Sequence, residues 1–371
     1  MTLRLHRETL AQILQAPDIE GVAFSRLLEL FREEEALAPL LPDPLFRVDP
    51  RSGDCVIFNP ARARRPHDAV AQQAESARDE ACVVCQGLTT GVLDVAGLSR
   101  GFTFVNKNLY PIVFPFPPEE MQARSTPIAG VQPAGGTLSG LHFLQWTSSF
   151  HDKDWHNMPL EDCEVVLRRL AALERRLLQG AEELLPAAAG QAFVLIAKNY
   201  GRLVGGSLHH GHQQIMLTHV MPRRMRDNWQ FQRERGLSFS SYMLRTNPDA
   251  LLVQDYGPAV LLVPYFMRRP YDMMLLVRDA TKAYLHELND QELAAVARGW
   301  HDGLQAIHRI MPAIGRELAY RVMVHNGPGA GLYFEFLPYT QETGALENLG
   351  LVVCQADPHE AADRLRRYLL E

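Results

Sequence analysis

No apolar run in this sequence reaches the length of a transmembrane helix, so no membrane span is expected. The opening Met-Thr-Leu-Arg-Leu-His-Arg has no signal-peptide core, which argues against secretion. Cysteine is scarce and odd in number: Cys55, Cys82, Cys85, Cys163 and Cys354. That is not the count of a disulfide scaffold, and a reducing cytoplasm with one metal-binding pair is the simplest expectation. Positive charge is not in excess. A net charge of −6, from 43 acidic and 37 basic residues, argues against a general nucleic-acid binder. With 47% hydrophobic and 22% charged residues the chain has a soluble globular composition, and its 371 residues can hold two domains or one pseudo-repeated one.

Along the chain, residues 1–44 read as a charged, helical N-terminal arm ended by Pro39, Pro42 and Pro44. Residues 45–140 are rich in turns, with short strands and proline clusters at 111–118 and 127–133. One pattern then occurs twice. An apolar strand at 141–148 leads to a helix near 159–185 and strands at 192–198 and 213–220. Strands at 259–266 and 272–277 lead to a helix near 289–309 and strands at 319–325 and 331–337. Residues 222–250 connect the copies, and a last helix covers 358–370. The expected fold class is α+β: two tandem halves, 45–221 and 222–371, with antiparallel sheets flanked by helices.

The segment from Asn199 to Gln214 carries the most chemistry. It contains His210-x-His212-x-Gln214, whose alternation on an extended segment points all three side chains to one face. Before it lies a glycine-rich run, Gly201 to Ser207, whose backbone can approach a phosphate closely. An imidazole beside backbone donors and a neutral amide is suited to attack on a phosphoryl group. Cys82-x-x-Cys85 reads as a metal pair or a redox pair, and the thioredoxin-like context of a redox pair is absent. Arg62, Arg64 and Arg65 suit a small phosphorylated ligand or a solvated loop.

Together these residues resemble the galactose-1-phosphate uridylyltransferase family, a branch of the histidine-triad superfamily. Further segments agree in order: Asp49 to Pro66, Cys82-Val-Val-Cys85-Gln-Gly, Val105-Asn-Lys-Asn108-Leu-Tyr110-Pro, the run from Pro264 to Leu276, and the helix from Pro358. The resemblance spans roughly residues 45–370 and implies two histidine-triad-like halves, of which only the first is catalytic. It implies that His212 is the nucleophile, that Gln214 binds the phosphoryl oxygens, and that Ser207 with the Gly205 and Gly206 amides stabilises phosphoryl charge. It places Arg62 and Arg65 at the nucleotide phosphates, Asn108 at the base and ribose, Asn199 in the substrate site, and Glu347 and Gln355 at the sugar end.

A structural Zn2+ on Cys82, Cys85, His210 and a loop histidine is implied as well; His151 is the better candidate and His156 the weaker. A second metal site, an iron held in some members, is expected to be lost. His325 fits it, but Tyr333 and Glu335 stand where a His-x-His pair belongs, and Asn228 where a glutamate does. Gly211 stands where the family often has proline. The implied activity is transfer of UMP, or another NMP, between a nucleotide sugar and a sugar 1-phosphate through a nucleotidyl-histidine, by a homodimer in the cytoplasm. Alternatives are a phosphorylase that uses inorganic phosphate on a nucleotide sugar or dinucleotide, and a non-catalytic nucleotide-binding protein.

Overall fold

The computed structural model describes residues 3–65, 82–117, 119–120, 135–184 and 191–370. Pro66, the proline cluster at 127–133 and the expected helix end at 185 lie outside them. In chain order the strands are β1 (Leu45–Val48), β2 (Cys55–Ile57), β3 (Val92–Gly97), β4 (Phe102–Lys107), β5 (Gly135–Thr137), β6 (Gly140–Trp146), β7 (Phe193–Tyr200), β8 (His212–Thr218), β9 (Leu252–Asp255), β10 (Ala259–Leu262), β11 (Met273–Val277), β12 (Tyr320–His325) and β13 (Tyr333–Pro338). The helices are α1 (Arg7–Ile13), α2 (Phe24–Arg32), α3 (Leu160–Gly180), α4 (Arg223–Arg235), α5 (Phe239–Thr246), α6 (Asp290–Ala313), α7 (Ala345–Asn348) and α8 (Pro358–Leu370). None of them is long and apolar enough to cross a membrane.

Ten strands form one antiparallel sheet in the order β3-β4-β6-β8-β7-β12-β13-β11-β10-β9, and β2-β1-β5 form a small second sheet. The mixed helix and antiparallel-sheet class read from the sequence is the class observed. The two repeated patterns meet at the β7–β12 ladder, where Lys198 faces Val322 and Asn199 faces Arg321. β8 shows how the sheet is sided. Ile215 and Leu217 are fully buried on the helix-covered face, while His212, Gln214 and Met216 alternate onto the other. The covering helices carry apolar stripes at helical spacing: Val166, Leu170, Leu173 and Leu177 on α3, and Val296, Trp300, Leu304 and Ile307 on α6. α6 begins at a capping box formed by Asn289 and Glu292, which satisfies two backbone donors that the helix end leaves over. The N-terminal arm docks on this core, with Phe31 of α2 edge-on to Phe143 at 5.0 Å.

Two stretches hold more structure than their composition suggests. The turn-rich region contains β3 and β4. Asp94 interrupts the apolar alternation of β3, and it is buried because Arg169 of α3 pairs with it. The connecting segment 222–250 contains α4 and α5.

Candidate active site

On the open face of the sheet, β6, β7 and β8 form the floor of a cleft lined by Leu144, Trp146, Asn199, His212 and Gln214, with Gly205, Gly206 and Ser207 on one wall and Arg65, Asn108 and Tyr110 on another. The glycine turn is built for this close approach. Gly201 and Gly205 have φ of 87° and 83°, and a Cβ on Gly206 would lie 2.8 Å from the Gly201 backbone.

His212 begins β8, with the indole of Trp146 4.7 Å from its ring. Its Nδ1–H donates to the His210 carbonyl at 2.8 Å, which leaves Nε2 unprotonated toward the cleft. Burial pushes its pKa down to about 4, so the imidazole is neutral at pH 7. Gln214 is within hydrogen-bonding reach of His142. The Ile112 N–H donates to His142 Nδ1 at 3.0 Å, so the His142 proton sits on Nε2. A donor there takes the carbonyl oxygen of Gln214 and leaves the amide hydrogens for the cleft. Asn108 lies 3.2 Å from the same nitrogen.

Burial lowers the pKa of His142 from 6.5 to about 3. In the unfolded chain this residue takes up a proton below about pH 6.5 that the folded chain refuses. Stability should therefore fall as pH drops from 6.5 toward 3, by roughly 1.4 kcal/mol per pH unit from this residue alone. Guanidinium midpoints across that window should slope less steeply in His142→Gln than in wild type. Equal slopes would show that His142 is not held neutral.

Arg65 lines the cleft, whereas Arg62 lies behind it and donates to the Tyr110 carbonyl. Burial depresses both guanidinium pKa values, Arg62 to about 10. Glu347 and Gln355 are not brought to this cleft: Glu347 lines a separate one on the second half, and the Gln355 N–H donates to Gln341 Oε1 at 3.0 Å.

Cys82, Cys85, His151 and His210 converge so that their ligand atoms lie within 4.8 Å of one another. His210 Nδ1 is 3.8 Å from Cys82 Sγ and 3.5 Å from Cys85 Sγ, and His151 Nδ1 is 3.9 Å from Cys85 Sγ. Tetrahedral Zn–S and Zn–N bonds of about 2.3 and 2.0 Å place ligands roughly 3.5 Å apart, so the set fits such an ion. His210 Nε2–H donates to the Ser148 carbonyl at 2.8 Å, which turns Nδ1 toward the sulfurs, an orientation that metal-binding histidines commonly share. His210 precedes β8 rather than standing on it, so its ring turns to the cysteines instead of pointing alongside His212. His156 lies elsewhere, stacked on His308 at 3.5 Å. In the second half, His325 Nε2 is 2.8 Å from Glu335 and its ring stacks on Tyr333, whose hydroxyl donates to Asn228.

Periodicity also holds residues that the motifs do not announce: His142 and Trp146 alternate on β6 as His212 and Gln214 do on β8. A third pair is long-range and has no sequence signal. Behind β8, buried Lys198 pairs with Asp154 at 2.7 Å and donates to the His212 carbonyl at 3.2 Å. Burial would raise the pKa of Asp154, but Lys198 overrides it and holds it below the usual carboxylate value. A Cβ at Gly211 would lie 2.5 Å from Asp154 Cγ, so glycine, rather than proline, makes room for this pair. Lys198→Met strands a buried carboxylate and should cost about 3–5 kcal/mol by denaturant titration. Lys198→Met with Asp154→Leu should recover much of that. A double variant no better than the single would refute the coupling.

No protein-family model matches the chain. The ADP-glucose phosphorylase of Arabidopsis thaliana is 24% identical over 313 residues, covering 80% of this chain and 82% of that protein. Among solved structures, a uridylyltransferase aligns with a TM-score of 0.68 at 22% identity, over 88% of this chain and 98% of that one. The Arabidopsis thaliana ADP-glucose phosphorylase with bound ADP-glucose aligns with a TM-score of 0.60 at 20% identity, over 88% and 99%. A GalT-like protein from the same plant gives 0.59 at 18% identity, over 86% and 98%. The chain has the fold of uridylyltransferase and GalT-like proteins, in line with the resemblance read from its motifs.

Proposed function

We propose that the chain moves a nucleotidyl group from a nucleotide sugar to a phosphate-bearing acceptor through His212. The observation that carries this reading is the state of that imidazole: buried, neutral, tied through Nδ1–H to the His210 carbonyl, and bare at Nε2 in a cleft walled by a glycine turn. The Nε2 lone pair attacks the α-phosphorus, and the bond to the sugar 1-phosphate breaks with its electrons leaving on that phosphate. The charge gained by the ring is steadied by the Nδ1–H bond, while the Gln214 amide and Arg65 face the phosphoryl oxygens. A phosphate oxygen of the acceptor then displaces His212, which leaves as neutral imidazole, giving ping-pong kinetics. Glutamine at position 214 does not titrate and favours transfer over hydrolysis.

The similarity to a uridylyltransferase and an ADP-glucose phosphorylase supports nucleotidyl transfer or phosphorolysis. A sugar 1-phosphate is the proposed acceptor. The second reading, inorganic phosphate as acceptor, is favoured by the ADP-glucose phosphorylase relative. Zn2+ on Cys82, Cys85, His151 and His210 would be structural, because four protein ligands leave no open position. Within one chain Glu347 and Gln355 lie away from His212, so a role at the sugar end requires a second copy; a homodimer belongs to the proposal.

The test is an intact-mass measurement after incubation with UDP-glucose or ADP-glucose without acceptor. An added UMP or AMP identifies the base and the covalent intermediate. Labelled inorganic phosphate entering the nucleotide product would select the phosphorylase reading. Free nucleotide without any adduct would sink the covalent route.

A further inference from the structure

Counting outward from the β7–β12 ladder sets the two halves in register. Gln214 pairs with Ala197 as Leu337 pairs with Arg321, and His212 pairs with Trp146 as Glu335 pairs with Met274. The counterpart of the His212 cleft is therefore a second cleft on the same face of the same sheet, with Glu335 in place of His212. Its chemistry has been exchanged. Arg224 from α4, Arg268 and Arg269 from the turn before β11, and Arg321 from β12 all line it. Their charges converge: Arg321 has its pKa lowered by burial and then by Arg269, and both Arg224 and Arg268 act on Glu335.

The acids at the cleft share it with these guanidiniums without pairing with them directly. Glu335 is held by His325 at 2.8 Å, and Glu347 accepts the Gly344 N–H at 2.9 Å. Asp272 is 4% exposed, accepts the Arg269 N–H through Oδ2 at 3.0 Å, and has no partner for Oδ1 among the described residues. Among those residues none of the four arginines is in an ion pair; the polar side-chain partner of Arg269 is Thr343. A cleft with four guanidiniums from three chain segments, an apolar floor of Met274, Met323 and Leu337, and a buried carboxyl with a spare oxygen is matched by an anion that carries a hydroxylated body.

We propose that this second cleft binds the phosphate group of a small phosphate ester, without chemistry, because the position of the first cleft's imidazole holds a carboxylate. Calorimetric titration of the full chain with inorganic phosphate and with glucose 1-phosphate tests it. Wild type should show a binding event that Arg268→Gln with Arg321→Gln weakens at least tenfold and that Arg65→Gln, in the first cleft, leaves in place. Glucose 1-phosphate should bind there more tightly than inorganic phosphate. Asp272→Asn removes a negative charge and adds a donor, so it should bind inorganic phosphate at least as tightly as wild type. An unchanged isotherm in the double arginine variant, with near-ultraviolet circular dichroism showing it folded, would overturn the site. An ester that binds no tighter than free phosphate would overturn the ester, and a tenfold loss of inorganic phosphate affinity in Asp272→Asn would overturn the charge argument. None of these readings depends on whether His212 is nucleotidylated.

Discussion

His212→Asn is expected to abolish covalent labelling by any nucleotide sugar and to lower kcat/KM by at least roughly a thousandfold, since removal of a nucleophile takes away the bond-forming atom and not one contact among many. Asparagine can still donate to the His210 carbonyl, as the imidazole Nδ1–H does at 2.8 Å, so the variant should fold and keep its stability. That separates loss of chemistry from loss of structure. Wild type should label without an acid limb near neutrality, because burial keeps the His212 pKa at about 4 and the ring is neutral through pH 6–8. Intact mass and denaturation midpoints on both proteins decide the matter. Persisting adduct or turnover in a folded His212→Asn would remove His212 from the mechanism.

Loss of the proposed metal centre is the second large effect. Cys82→Ser, or exhaustive chelation, should remove the proposed zinc and destabilise the protein by several kcal/mol, on the order of 5, because ligand binding free energy at such sites is folding free energy. The four ligands come from three distant segments: the Cys82–Cys85 turn, the loop after β6 with His151, and His210 just before β8. The Cys82 thiol is held below its ordinary pKa, first by Cys85 and then by His151 and His210, the direction a thiolate ligand requires. Activity should fall with the metal, although no step passes through it, since the His210 carbonyl that orients His212 belongs to a ligand residue. Elemental analysis and guanidinium unfolding check this. A Cys82→Ser protein with a full metal equivalent and an unshifted midpoint would refute it.

Much of the site is legible in the sequence because its parts are local. The alternation of His212 and Gln214, the glycine turn before them and the Cys82-x-x-Cys85 spacing are each readable within a few residues. The doubled strand, helix, strand, strand pattern likewise reads as an α+β sheet from apolar periodicity. What escapes is long-range. Only folding shows that His151 reaches the cysteines while His156 stacks on His308, since both lie in one loop with no period. β3 is obscured by Asp94, a charge that makes sense only beside Arg169. Lys198 sits in an apolar strand where a charge argues against burial, and Asp154, its partner, is 44 residues away in the sequence but at 2.7 Å. The difference between Arg65 on the cleft and Arg62 behind it depends on where the Tyr110 carbonyl lies.

The unbroken ladder from β3 to β9 has a mechanical consequence. Rungs between Tyr200 and Tyr320, Asn199 and Arg321, and Lys198 and Val322 cross the line where a hinge would have to run. Closing one half on the other would tear these backbone bonds, so the sheet behaves as a rigid plate. Any gating of the His212 cleft is left to what stands above that plate, foremost the turn at 201–208, where glycines at positive φ set the backbone path.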